Sequence, residues 1–246
     1  MSGHSKWANI KNKKAKTDAA KGKIFTKIGR ELAVAAKQGA DPSTNSKLAD
    51  VIAKAKAANM PNDNIQRSIK KASGELNAVN YEETSYEGYG VGGSAVIVKC
   101  LTDNKNRTAG DVRHAFDKHG GSLGALGCVS YLFDNKGLLI LENTPSIDEE
   151  QLIDMCLEAE AEDVVNDGDV YQIITAPSDF NKVKEALEAK GLTFLQAEVT
   201  MIPQSNIDLD ANQLATFTKM IDTLEALDDV QDVYHNVNMP EEENED

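Results

Sequence analysis

The residues best suited to chemistry in this chain are lysines, and they crowd at one end. The run His4-Ser5-Lys6-Trp7-Ala8-Asn9-Ile10-Lys11-Asn12-Lys13-Lys14-Ala15-Lys16 holds five lysines and one aromatic, and Lys21, Lys23, Lys27 and Arg30 follow. Ammonium and guanidinium groups release counterions from a phosphate backbone, and an indole stacks on a base. Lys6, Trp7, Lys11, Lys13, Lys14, Lys16, Lys21, Lys23, Lys27 and Arg30 are therefore the candidate polyanion contacts. The plainer reading is a solvated, helix-prone tail with Trp7 tucked against the first helix, because lysine-rich segments also serve solubility alone.

Net charge hides this asymmetry. The 246-residue chain is acidic, formally -14. From Met1 to Asn77 it carries 16 Lys+Arg against 6 Asp+Glu, and from Ala78 to Asp246 it carries 10 against 34. A basic module joined to a strongly acidic body fits a polyanion at one end only, and the body's repulsion would orient the encounter. A second, smaller group of cations interrupts that body: Arg107, Arg113, His114 and Lys118, beside the segment Thr102-Asp103-Asn104-Lys105-Asn106-Arg107-Thr108. It reads either as a second anion contact near a helix start or as a helix capped by Asn106 or Thr108 whose arginines pair with local acids.

Other chemistry is poorly supported. His114 and His119 are five apart, not the i, i+4 spacing of a helical metal pair, and no cysteine lies close enough to complete a zinc pattern. The segment Asp163-Val164-Val165-Asn166-Asp167-Gly168 fails as a calcium loop at Val165 and again at Ile174, and reads better as a hairpin turn. Gly88-Tyr89-Gly90-Val91-Gly92-Gly93 precedes a strand instead of following one, which is the wrong context for a dinucleotide loop. No G-x-S-x-G or Walker loop occurs. No catalytic residue, metal, cofactor or small-molecule substrate is expected. Cys100, Cys128 and Cys156 are few, odd in number and set in apolar stretches, as reduced, buried thiols of a cytoplasmic protein would be. No apolar run approaches the ~20 residues of a membrane span, and no secretory signal is expected.

Around these residues the chain organises itself in three parts. Phe25, Ile28, Leu32 and Ala35 recur at helical spacing, then Leu48, Val51, Ile52 and Ala55, then Ile65, Ile69 and Ala72, with breaks at Gly39-Ala40-Asp41-Pro42 and Met60-Pro61. This is a thin three-helix module. The polar segment from Glu75 to Glu87 reads as a linker. Tyr81, Tyr86 and Tyr89 then offer either an exposed aromatic surface or a docking contact with a sheet.

Beyond it, Ala95–Leu101 reads as a strand, Arg107–His119 as a helix, and Ser122–Phe133 as two short strands. The segment after Asn135-Lys136-Gly137 runs strand, helix, strand, turn, strand, helix, strand up to Ile202. That order is βαββαβ, the ferredoxin-like arrangement. A last helix carrying Leu214, Phe217, Ile221 and Leu224 and a strand Val230–Val237 complete the earlier pattern, so one ferredoxin-like domain is inserted in another. The expected fold class is α+β: a helical basic domain at 1–79, a discontinuous α/β domain at 80–134 and 204–240, an inserted α/β domain at 135–203, and an acidic tail at 241–246.

These residues, taken together, resemble the YebC/PmpR family. The resemblance is carried by Gly3-His4-Ser5-Lys6-Trp7-Ala8-Asn9-Ile10-Lys11, Gly22-Lys23-Ile24-Phe25-Thr26-Lys27, Asn59-Met60-Pro61-Asn62-Asp63-Asn64-Ile65 and Tyr86-Glu87-Gly88-Tyr89-Gly90. Cys100-Leu101-Thr102-Asp103-Asn104-Lys105-Asn106-Arg107-Thr108, Val112-Arg113-His114-Ala115-Phe116 and Asp232-Val233-Tyr234-His235-Asn236 extend it over nearly the whole chain, with Val91 where the family usually has proline. The resemblance implies a three-domain cytosolic protein that binds DNA and regulates transcription. Related proteins, including a mitochondrial translational activator of cytochrome oxidase, imply an alternative: a ribosome- or ribosomal-RNA-binding factor that aids translation through proline-rich stretches. A ligand sensor or enzyme in the α/β body is the third class, with least support from motifs.

Overall fold

The computed structural model describes residues 19–73 and 80–239. The lysine run up to Lys16, with Trp7, the segment 74–79 and the acidic tail lie outside the described residues. Three helices open the described chain: α1 (Ala19–Ala36), α2 (Ser46–Ala57) and α3 (Asn62–Ser73). Their stripes meet as the spacing requires. Ile28, Leu32 and Ala35 of α1 bury against Leu48 and Ala55 of α2 and Ile65 and Ile69 of α3, with Met60 from the turn between the last two. Asn45 ties two helix ends together. Its side-chain oxygen accepts from Leu48 N–H at 3.1 Å to cap α2, and its amide donates to Ala35 and Gly39 carbonyls at the end of α1.

The following α/β domain is built on a four-stranded antiparallel sheet in the order β3-β1-β2-β8, from β1 (Glu82–Tyr89), β2 (Ala95–Thr102), β3 (Ser122–Leu123) and β8 (Val230–His235). β2 is buried along its length except at Lys99, which explains its nearly unbroken apolar sequence. Two helices supply the facing layer. From α4 (Lys105–Lys118) come Val112, Ala115 and Phe116, and from α7 (Ala211–Glu225) come Phe217, Met220 and Leu224. Asp210 and Gln213 close the start of α7 with a reciprocal capping box.

Two expectations are corrected here. Much of the polar segment read as a linker is strand β1, paired with β2 from Glu82↔Thr102 to Tyr89↔Ala95. Its polar, Glu-rich sequence hides the strand because backbone pairing, with β2 along its length and with β3 at Gly88 and Tyr89, holds it in place of a run of apolar side chains. The stretch Ser122–Phe133 holds a single two-residue strand, a turn and a short 3-10 helix, Ser130–Leu132. The element order in this domain therefore begins with the β1–β2 hairpin. Val91–Gly93 forms the connecting turn, with Gly92 at φ 69.

The inserted α/β domain has its own four-stranded antiparallel sheet, ordered β5-β6-β4-β7, which is the ferredoxin-like order for βαββαβ. Its strands are β4 (Phe133–Glu142), β5 (Asp163–Asn166), β6 (Val170–Thr175) and β7 (Phe194–Pro203), and its helices are α5 (Glu149–Glu158) and α6 (Phe180–Ala189). Leu139, Leu141 and Ile173 pack against Leu152 and Cys156 of α5 and Val183 and Leu187 of α6. Leu138, Ile140 and Val170 form a second buried group, on alternate positions of the same strands. Gly168, at φ 70, opens the tight β5–β6 turn, where Asp167 N–H donates to Val170 O at 2.8 Å, as the hairpin reading of this segment requires. The chain thus divides into two compact units, one built around Tyr131–Asp208 and the other around the helices, the first α/β domain and Leu209–His235.

Candidate nucleic-acid interface

Of the ten residues expected to meet a polyanion, Lys23, Lys27 and Arg30 have described side chains. They lie one turn apart along α1, and each reaches the region around the end of α7. Lys23 Nζ donates to Ala226 O at 3.4 Å and Lys27 Nζ to Glu225 O at 3.2 Å. The last carbonyls of a helix lack intrahelical donors and carry the negative end of its dipole, so ammonium groups are favourable partners there. Arg30 donates to Leu101 O at 3.1 Å and pairs with the Asp229 carboxylate. Its side chain retains 14% exposure and that of Asp229 8%. Arg30 also lies over the Tyr81 ring, 5.3 Å from its centroid. This stripe fastens the helical module to the first α/β domain. Lys21 sits in the first turn of α1. Lys6, Trp7, Lys11, Lys13, Lys14 and Lys16 lie outside the described residues.

Asp229 gathers a second cation. Arg107 donates to it at 2.7 Å and to Asp103 at 2.8 Å, and Thr108 Oγ1 donates to it at 2.7 Å. Burial pushes the Asp229 carboxyl up, but hydrogen bonds from Arg107, Thr108 and Arg30 outweigh that and hold it at about 2. The surrounding cleft of about 340 Å³ is lined by Asp103, Asp111 and Asp228 as well as these groups. Its acids outnumber Arg30 and Arg107, so it is no anion site. Arg107 belongs to this internal network, in line with the alternative in which the arginines pair with local acids. The cap of α4 is Asn104, whose side chain accepts from Arg107 N–H at 3.1 Å, and not Asn106 or Thr108. Thr108 directs its hydroxyl to the buried carboxylate instead.

The other three cations of that group behave differently. Arg113, His114 and Lys118 are exposed on α4. His119, the cap residue at the end of α4, is half-buried, with Nε2 3.1 Å from Thr223 Oγ1 of α7. Burial depresses His119, and the charges of Lys118, Lys219 and His114 depress it further. Sequence reasoning does not single out Lys219. The signal available is its isolation as a cation in an acidic body, but only the α4–α7 contact shows which cations it joins.

The tyrosines dock rather than face solvent. Tyr86 Oη donates to Lys105 O at 3.1 Å and Tyr89 Oη to Cys128 O at 2.9 Å. A cavity of about 450 Å³ lies where α1 and α2 approach Lys99–Leu101 of β2; four of its charged lining residues are engaged in the pairs Lys47–Glu83 and Lys54–Glu31, and Lys99 and Asp232 line it as well. Among the described residues no three His, Cys, Asp or Glu side chains are grouped to hold a metal ion, and no helix is long and apolar enough to cross a membrane. Cys100 and Cys156 are buried free thiols and Cys128 is half-buried.

Comparison with known proteins agrees with this architecture. The family model described as "TACO1/YebC protein N-terminal domain" matches residues 5–75, and the one described as "TACO1/YebC second and third domain" matches residues 81–237. The chain is 60% identical to a "Probable transcriptional regulatory protein" of Acetivibrio thermocellus, over 96% of this chain and 98% of that protein. It is also 60% identical to one so named from Hathewaya histolytica, over 98% of each. A crystal structure of a conserved hypothetical protein from Aquifex aeolicus superposes with a TM-score of 0.80 at 45% identity, covering 94% of this chain and 96% of that one. The chain belongs to the TACO1/YebC family.

Proposed function

We propose that the protein is a non-enzymatic, nucleic-acid-binding regulator of gene expression, acting on DNA as a transcriptional regulator, with Lys6, Trp7, Lys11, Lys13, Lys14, Lys16 and Lys21 as its phosphate- and base-contacting arm. The observation that carries the reading is the charge division: 16 basic against 6 acidic residues before Ala78 and 10 against 34 after it. Such a chain approaches a polyanion by its amino-terminal end. The names of its relatives as probable transcriptional regulatory proteins support the regulatory role. Lys23, Lys27 and Arg30, engaged within the protein, serve the arm by fixing the helix from which it extends.

The test has two parts. The variant Lys11→Glu/Lys13→Glu/Lys14→Glu/Lys16→Glu should lose DNA affinity while melting as the wild type does; undiminished affinity would overturn the arm. Crosslinking in cells, with both DNA and RNA sequenced, should recover a small set of promoter regions. Recovery of ribosomal RNA instead would replace DNA by the ribosome as the partner and make the protein a translation factor.

A further inference from the structure

In the β2–β8 ladder Lys99 pairs with Asp232 and Cys100 with Val230, so Gln231 is an extra residue on β8, the mark of a β-bulge. Successive strand residues ordinarily point to opposite faces. The bulge lifts that rule here, and both Gln231 and Asp232 line the cavity of about 450 Å³ where α1 and α2 approach the sheet. The Gln231 carboxamide is closed off from solvent at both its oxygen and its nitrogen, and neither atom has a hydrogen-bond partner among the described residues. Leaving an amide in that state costs free energy, and such a group is rare enough in a folded chain to need a reason. Its last torsion is soft, so the amide turns to a ligand without moving the strand.

The rest of the wall restricts what that ligand is. Three acids, Glu31, Glu83 and Asp232, balance three cations, Lys47, Lys54 and Lys99, so the wall carries no net charge and favours neither a phosphate ester nor a polyamine. Two of the cations are already paired, Lys47 with Glu83 and Lys54 with Glu31. Lys99 and Asp232 form no ion pair among the described residues, although they sit opposite each other in the ladder, where Cβ atoms are about 5 Å apart. One ammonium and one carboxylate that close together match a ligand whose own carboxylate and ammonium share a carbon. Val34, Val51 and Leu101 supply apolar wall. The volume lies within the ~300–1,000 Å³ of small-molecule sites.

We propose that this cavity is a binding site for an amide-bearing zwitterion, of the class of free glutamine or a dipeptide. Lys99 takes the carboxylate, Asp232 the ammonium, and the Gln231 carboxamide pairs with the ligand's amide as donor and acceptor. The walls belong to the helical module on one side and to the sheet on the other, so an occupant ties the two together. The amino-terminal module thereby gains an effector, whatever its basic end binds, and the site stands or falls without the nucleic-acid reading above.

The experiment is calorimetric titration and thermal melting of the full chain, without nucleic acid, against glutamine, alanyl-leucine, leucine and N-acetylglutamine amide at millimolar concentration. Glutamine or the dipeptide should bind and raise the melting temperature. Leucine, a zwitterion without an amide, should bind more weakly, and the uncharged N-acetylglutamine amide should not bind. The tighter of glutamine and the dipeptide identifies the source of the amide. Gln231→Leu should weaken binding on the order of tenfold. It should leave the unliganded melting temperature unchanged or raised, since it removes an unpaired buried amide. Asp232→Asn should weaken glutamine and the dipeptide alike. A merely structural Gln231 would instead lower the melting temperature in the variant and leave affinity as it was. Failure of every compound to bind, leucine binding as tightly as glutamine, or equal binding by the wild type and both variants would overturn the site.

Discussion

Arg30 of α1 and Asp229, in the turn after α7, meet as a nearly buried ion pair far apart in sequence, and the same carboxylate receives Arg107 from α4. One acid thus joins the helical module, the sheet domain's first helix and the turn before its last strand. Leu101 N–H also donates to the Asp229 backbone carbonyl at 2.8 Å, so the residue is held at both ends. A buried pair of this kind contributes little over an apolar contact of equal volume. Removing one partner is costly, since the other charge stays behind without compensation.

Asp229→Ala should accordingly destabilise the protein by about 3–5 kcal/mol, leaving Arg30 stranded against the Leu101 carbonyl. Arg30→Met should cost less, because Arg107 and Thr108 still neutralise and hydrogen-bond the carboxylate. Urea unfolding followed by circular dichroism measures both. If the nucleic-acid salt slope of a folded Arg30→Met chain matches the wild type, Arg30 is a fastening residue; a slope reduced as by an arm lysine would return it to the phosphate contacts.

The same carboxylate predicts an acid limb in stability. Its folded value of about 2 lies below that of an ordinary aspartate, so its contribution is fully present above about pH 4 and lost as pH falls toward 2. The shift corresponds to roughly 2 kcal/mol. Unfolding free energy measured from pH 5 down to pH 2 should fall for the wild type, and Asp229→Asn should flatten that part of the curve. An unchanged slope in the variant would show that the network does not depend on the charge.

Helices and the inserted domain were legible in the sequence because their signals are local. Ile28, Leu32 and Ala35 on α1 and the βαββαβ order after Phe133 need only periodicity and turns to be seen. β1 was not, because Glu82–Tyr89 is held in place through pairing with β2, which no single window displays. The candidate site shows the same division. Composition reveals which end is basic, but cannot say that Lys23, Lys27 and Arg30 point at the end of a helix some two hundred residues on. Asp229 looks like any acid beside Asp228, and only the fold gives it two arginines.

Glu87 and Gly88 illustrate how a polar strand can still be specified. Burial pushes Glu87 up, but the N–H groups of Val129, Gly127 and Ser130 outweigh it and hold the carboxyl below its ordinary value. Beside it, a Cβ at Gly88 would come within 2.5 Å of Ser122 O and 2.8 Å of the Phe116 ring. Gly88→Ala should therefore force β1 and β3 apart and cost ~1–3 kcal/mol, as overpacking does. Amide hydrogen exchange should report it as faster exchange at Gly124, whose N–H donates to Glu87 O at 2.8 Å, with β6 of the inserted domain unaffected. Equal acceleration in both sheets would refute this local account.

The three thiols should react in order of access. Burial raises Cys100 to about 12, with the Asp229 charge adding to it, and raises Cys156 to about 11. Cys128 is raised too, first by burial and then by Glu87, but it is half-buried and so the most accessible of the three. Since the thiolate is the nucleophile, iodoacetamide at neutral pH should alkylate native protein at Cys128 alone, and all three positions only in urea. Native labelling at Cys100 would show that the helical module opens away from β2.

The lysines of α1 should separate from those of the arm by what each variant changes. Lys23 and Lys27 neutralise the end of α7, an interaction that for the half-buried Lys27 contributes about 0.3–1 kcal/mol. Lys23→Ala/Lys27→Ala should lower the melting temperature by a few degrees at most, about 2–4 °C per kcal/mol for a chain of this size, and leave the salt slope of nucleic-acid binding nearly unchanged. The glutamate variant of Lys11, Lys13, Lys14 and Lys16 should do the opposite, flattening the slope at constant melting temperature. The two measurements on the two variants give four outcomes, of which only this crossed pattern supports the division of labour. A slope that falls with Lys23 and Lys27 would mean that phosphates compete with the α7 carbonyls for the same ammonium groups.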